Sequence, residues 1–151
     1  MLPETFTRSF PVMNLRKEAP SLFLTHSPQE IELASQLVKD LTNVNGSVSI
    51  QPTVDDAPFS KEWMLRTEDR IRRSDLIICL FGEDTWLRNT ATWELTVALR
   101  MKKKVVAVRA HSNMLHIPPF IVLDKNIPLI DFDAELIGSL LKRKERAPVE
   151  H

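Results

Sequence analysis

Six consecutive apolar residues, Leu76-Ile-Ile-Cys-Leu-Phe81, place the strongest constraint on this chain. A strand with one wet face alternates apolar and polar side chains, whereas an unbroken apolar run of strand length belongs to a strand covered on both faces. The run therefore predicts a central parallel strand with helices above and below the sheet. Flanking segments supply them. Ser21–His26 is a second short apolar run, and Ser27-Pro28-Gln29-Glu30 after it combines an N-cap Ser, a Pro at the first helical position and a Glu at the third. Ile31, Leu33, Ala34, Leu37, Val38 and Leu41 then recur at helical spacing until Asn43–Gly46 break the pattern.

Ser47–Gln51 reads as another strand, Pro52–Pro58 as a polar loop, and Ser60 as the cap of a helix. That helix spaces Glu62 with Arg66, Glu68 with Arg72, and Asp69 with Arg73 for exposed ion pairs. Beyond the central run lie a helix around Glu94, a strand at Val105–Val108, a loop at His111–Phe120, a short edge strand at Ile127–Ile130 and a last helix striped by Leu136, Ile137, Leu140 and Leu141. Such alternation predicts one α/β domain over residues 21–141, with residues 1–20 as an arm and 142–151 as a charged tail. Ligands of parallel sheets collect beyond the carboxyl ends of the strands, where strand order reverses. Here that rim comprises Thr25, His26, Asp55, Asp56, Gly82 to Trp86, Ala110 and His111.

Composition removes several classes of function. Twenty basic and twenty acidic residues cancel, so the overall basic excess that draws proteins to nucleic acid or anionic membranes is missing. One cysteine allows no internal disulfide and no multi-cysteine zinc cluster, and the histidines at 26, 111, 116 and 151 show no ligand spacing, so no metal is expected. With no apolar run of membrane-spanning length and no signal-peptide pattern, a cytoplasmic location is expected. The three glycines form no phosphate-cradling motif. Cys79, inside the apolar run, reads as a core thiol.

Glu94 stands apart. At about 100° per residue, Ala91, Trp93, Leu95, Val97, Ala98, Leu99 and Met101 cover a wide apolar arc, with Thr92, Thr96 and Arg100 on the remainder. Glu94 falls inside the apolar arc. A capping box would need Ser or Thr at position 91, and a solvated carboxylate would join the threonines. A carboxylate on an inward face needs partners, and a ligand at the rim can supply them.

Three stretches carry a family likeness. Leu22-Phe-Leu-Thr-His-Ser27 resembles the first box of the TIR domain, Ser74–Thr85 resembles its third strand and loop, and Trp93-Glu-Leu with Lys104–Val108 resembles the helix bearing the family's glutamate and the strand after it. The likeness is greatest to compact bacterial TIR proteins of Thoeris-type antiphage defence. It implies a flavodoxin-like three-layer sandwich with a five-stranded parallel sheet and, in enzymatic members, cleavage of the nicotinamide-ribose bond of NAD, with Glu94 at the catalytic position. NAD would be the substrate, no cofactor would be required, and the product would be ADP-ribose or a cyclic or conjugated derivative sensed by a downstream effector. Self-association or pairing with other TIR domains would be expected.

Candidate ligand contacts are Phe23, Thr25, His26, Asp56, Glu83, Trp86, Arg88, Trp93 and His111, with Arg109 a further candidate beside the pyrophosphate. One position departs from the pattern: many enzymatic relatives carry Trp four residues before the glutamate, and this chain has Thr90, which leaves Trp86 and Trp93 to supply a stacking surface. The alternatives are a non-catalytic TIR-like module for nucleotide binding or assembly, and an enzyme resembling nucleoside deoxyribosyltransferases, which also place a glutamate near a sugar on a similar sheet.

Overall fold

The apolar run becomes β3 (Leu76–Phe81), all six residues of which are buried. It is the middle strand of a five-stranded sheet in the computed structural model, which describes residues 19–52, 54 and 56–142. The other strands are β1 (Ser21–Thr25), β2 (Ser49–Ile50), β4 (Val105–Arg109) and β5 (Leu129–Asp131). They lie in the order β2-β1-β3-β4-β5, and every pairing is parallel. The predicted sandwich around a five-stranded parallel sheet is thus the observed fold. Residues 1–18 of the expected arm and 143–151 of the expected tail lie outside the described residues.

Alternate side chains of the strands feed two cores. Leu22, Leu76, Ile78, Leu80, Val106 and Val108 pack under α1 (Ile31–Asn45) and α5 (Ala134–Lys142), which contribute Leu37, Leu41, Ile137 and Leu141. Phe23, Ile77, Cys79, Phe81 and Ala107 pack on the other face with Ile71, Leu95, Ala98, Ile121 and Val122. Those partners come from α2 (Lys61–Arg72), α3 (Asn89–Arg100) and α4 (Phe120–Asp124). Each fully buried Leu or Ile contributes roughly 2 kcal/mol relative to its exposed state, which is why the unbroken run at β3 fixes the layering.

Helix ends follow the sequence with two revisions. Ser60 caps α2 as expected, its Oγ accepting from the Trp63 amide at 3.1 Å. Gly46 ends α1 at φ +89°, open to glycine and costly for other residues. Ser27 instead stands before a turn of 3-10 helix (Pro28–Glu30), makes no side-chain cap bond, and donates its hydroxyl to the buried Glu30 carboxylate. The segment read as a loop from His111 to Phe120 leads directly into α4, a helix of five residues that the sequence pattern does not announce.

Candidate active site

A cavity of about 500 Å³ opens at the carboxyl end of β1, between the sheet and the helices α2 and α3. Strand order turns outward here, β2 lying on one side of β1 and β3 on the other. Phe23, Thr25 and His26 come from β1 and the residue after it, Gln51, Pro52, Val54, Asp56 and Pro58 from the segment before α2, Trp63 and Thr67 from α2, and Arg88, Thr90 and Glu94 from the start of α3 and the residue before it.

Glu94 is half-buried, and its carboxyl lies on the cavity wall beside Thr25. Burial lifts its pKa from the ordinary 4.5 to about 7, against the opposing pull of the Thr25 hydroxyl, which hydrogen-bonds the carboxylate, and of the positive charge of Arg88. Thr25 is placed by strand pairing, its register partner being Cys79 on β3. The Cys79 thiol is pushed up to about 12 by burial and, secondarily, by the Glu94 charge. It stays a protonated core group, as the sequence implied.

At the mouth, Asp56 is held by Arg66, with Oδ2 3.3 Å from Nε, so the segment before α2 is tied to the second turn of that helix. His26 Nδ1 sits 2.9 Å from the Ser27 carbonyl oxygen. A carbonyl only accepts, so Nδ1 carries the proton and the other ring nitrogen is the one available to a ligand. Gln51 is positioned by the bond from its Nε2 to Ser21 Oγ at 2.7 Å.

Of the residues proposed from sequence, Phe23, Thr25, His26, Asp56, Arg88 and Glu94 meet in this cavity. Glu83, Trp86, Trp93 and His111 do not line it. Glu83 and Trp86 are exposed on the loop after β3. Trp93 packs behind the cavity wall, its ring 5.1 Å from Trp63 and 6.5 Å, edge-on, from Phe59. His111 lies beyond β4, where Nε2 is 3.7 Å from Glu30 Oε2 and the ring meets His116 edge-on at 5.6 Å. Arg109 pairs with Asp131 at 3.2 Å and lies 5.8 Å over the Phe81 ring, also outside the cavity. The aromatic residue that sequence reasoning passed over is Trp63, buried in the cavity wall. Its signal is faint, since it lies in the first turn of a strongly charged helix.

A family model for the TIR domain matches residues 22–142. The chain belongs to the TIR domain family. Among solved structures, this TIR domain is similar to that of the Toll-related receptor TRR-2 from Hydra magnipapillata, at 15% identity and a TM-score of 0.55, over 86% of this chain and 98% of that one. The CMP N-glycosidase BcmB of Clostridium botulinum matches at 18% identity and a TM-score of 0.44, over 79% of this chain and 94% of that one. No curated protein sequence matches the chain. The likeness to the receptor domain speaks for the fold alone, and the chemistry must be read from this domain's own cavity. Among the described residues no three His, Cys, Asp or Glu side chains converge as a metal site would require, and no helix is long and apolar enough to cross a membrane.

Proposed function

We propose that this TIR domain cleaves the nicotinamide-ribose bond of NAD, with Glu94 as the catalytic carboxylate. The observation that carries the reading is the placement of the half-buried Glu94 on the cavity wall beside Thr25 and Arg88, where a ligand can complete the surroundings of a carboxyl that burial disfavours in its charged form.

The chemistry follows from charge. Nicotinamide leaves as a neutral ring from a cationic one and needs no proton, so the developing demand is for negative charge beside the ribosyl oxocarbenium ion. A cationic ring entering the cavity favours the ionised form of Glu94. The carboxylate can then face the ribosyl cation and accept from a ribose hydroxyl, while the Thr25 hydroxyl holds it in place. Arg88, at the cavity edge, is the side chain suited to the pyrophosphate. Water, a ring nitrogen of the same nucleotide or another nucleophile then captures the cation. The products are ADP-ribose, a cyclic isomer or a conjugate, and an antiphage signal read by an effector is the biological role we assign to it. TIR domains commonly self-associate, and a partner copy is expected to accompany activity.

Thr90 favours a second reading. It lines the cavity at the position where many enzymatic relatives carry Trp, and a nucleotide-binding assembly module needs no such stacking surface. Incubation with NAD and mass spectrometry of the products, for the native protein and Glu94→Gln at matched concentrations across a range that allows association, separates the two. Nicotinamide release lost in Glu94→Gln is the expected result. Equal release by both proteins removes Glu94 from the chemistry, and binding without release by either supports the module.

A further inference from the structure

Threonines within the helices meet different surroundings. Thr42 in α1 donates its hydroxyl to the Val38 carbonyl at 2.9 Å, and Thr96 in α3 donates to the Thr92 carbonyl at 2.7 Å. Both bonds run back four residues, the usual way a helical threonine satisfies its hydroxyl. Thr67 in α2 does otherwise. It is only 1% exposed, yet its Oγ1 bonds to nothing among the described residues, and it lines the cavity. A buried hydroxyl without a partner bears the cost of its lost hydration, and Thr67 does not make the back-bond that two other threonines make in the same molecule.

Depth along the helices says what meets it. Both α2 and α3 begin at the carboxyl rim of the sheet; Thr67 is the seventh residue of one and Glu94 the sixth of the other. At about 1.5 Å per residue, both lie roughly 9 Å below the rim on neighbouring helices. Arg88, before α3 begins, stays at the rim. A nucleotide with its phosphates at Arg88 and its ribose at Glu94 has its base directed away from the rim, to the depth of Thr67, in a cavity that Phe23 and Trp63 also line.

We infer that Thr67 is a specificity-determining contact, its hydroxyl reading the amide edge of a heteroaromatic leaving base. A hydroxyl both donates and accepts, which matches a carboxamide substituent and rejects a bare ring that leaves it unpaired. The inference rests on the reading of Glu94 as the residue at the ribose.

Calorimetric binding in the Glu94→Gln background tests it, with two probes: NAD, and the pyridine analogue of NAD in which hydrogen replaces the carboxamide. With Thr67 in place, NAD is expected to bind about tenfold tighter than the analogue. Thr67→Val brings the two within about twofold, and Thr67→Ser keeps the preference. Free of ligand, Thr67→Val melts about 3 °C higher, because a methyl replaces an orphaned hydroxyl. A preference that survives Thr67→Val, or that is absent with Thr67 in place, overturns the contact while NAD cleavage by the native protein still upholds the proposed function. Absence of both NAD binding and NAD cleavage brings down the function and the contact together.

Discussion

Glu94 has opposite effects on stability and on catalysis, and the sign of each is fixed by its raised pKa. The folded protein holds the proton up to about pH 7, the unfolded chain only to the ordinary 4.5, so the folded state binds more protons between those values. The stability that Glu94 contributes is therefore full below about pH 4.5 and is lost as pH rises through 7. The loss amounts to about 3 kcal/mol. Glu94→Gln, which never ionises, should match the native protein in urea midpoint at pH 4.5 and exceed it at pH 8. Catalysis runs the other way. If the leaving ring is cationic, the free enzyme must carry Glu94 ionised, and kcat/KM for NAD rises with pH through an apparent pKa near 7. A profile falling through that pKa would instead identify Glu94 as a general acid for a neutral base. At Gly82 the constraint is steric: a Cβ would clash with Oε2 of the buried Glu30, a carboxyl that also meets Ser27 and His111. Gly82→Ala should lower stability by about 2 kcal/mol, read from the urea midpoint. Glu94 was legible in the sequence because helical projection exposes a carboxylate on an apolar arc. Thr67 was not, since a threonine fits either face and its missing bond exists only in three dimensions.

Elements were legible in proportion to their length and burial. β3 occupies the residues its apolar run marks, and the helices striped by Leu37 and Leu41 or by Ile137 and Leu141 form where their periodicity places them. β2 shrinks from an expected five residues to Ser49–Ile50 because an edge strand pairs on one side only. α4 escaped notice because five residues after two prolines show no full helical period. Lys103, just past the end of α3, reaches across to α2, donating from Nζ to the Arg72 carbonyl at 2.7 Å and the Ser74 carbonyl at 3.0 Å. It thereby satisfies orphan carbonyls at the end of the helix that carries Trp63 and Thr67. Lys103→Met keeps the apolar stem and removes the charge, and is expected to cost about 1 kcal/mol in a thermal or urea melt.

At the scale of the whole molecule, one sheet order decides where chemistry can happen. With β1 and β3 at the centre and connections leaving to either side, the layer between sheet and helices opens beside β1, and Phe23, Thr25, Glu94 and Thr67 converge there from three elements. The cavity was predictable as a place on the rim, because topology alone sets it. Its membership was not, because Trp86, Trp93 and His111 are close to Glu94 in the chain or in the topology, yet turn to other neighbours.

The same central strand equips the protein with a built-in clock. Cys79 is the sole cysteine of the sequence, fully enclosed between two pairing strands, with its thiol held protonated to about pH 12. A thiol-reactive dye can reach it only when the sheet itself comes apart. Labelling of the native protein at pH 8 should accordingly proceed at the rate or equilibrium of global unfolding. NAD should slow it in Glu94→Gln, so that a single sulfur atom reports both the strength of the fold and the occupancy of the cavity beside it.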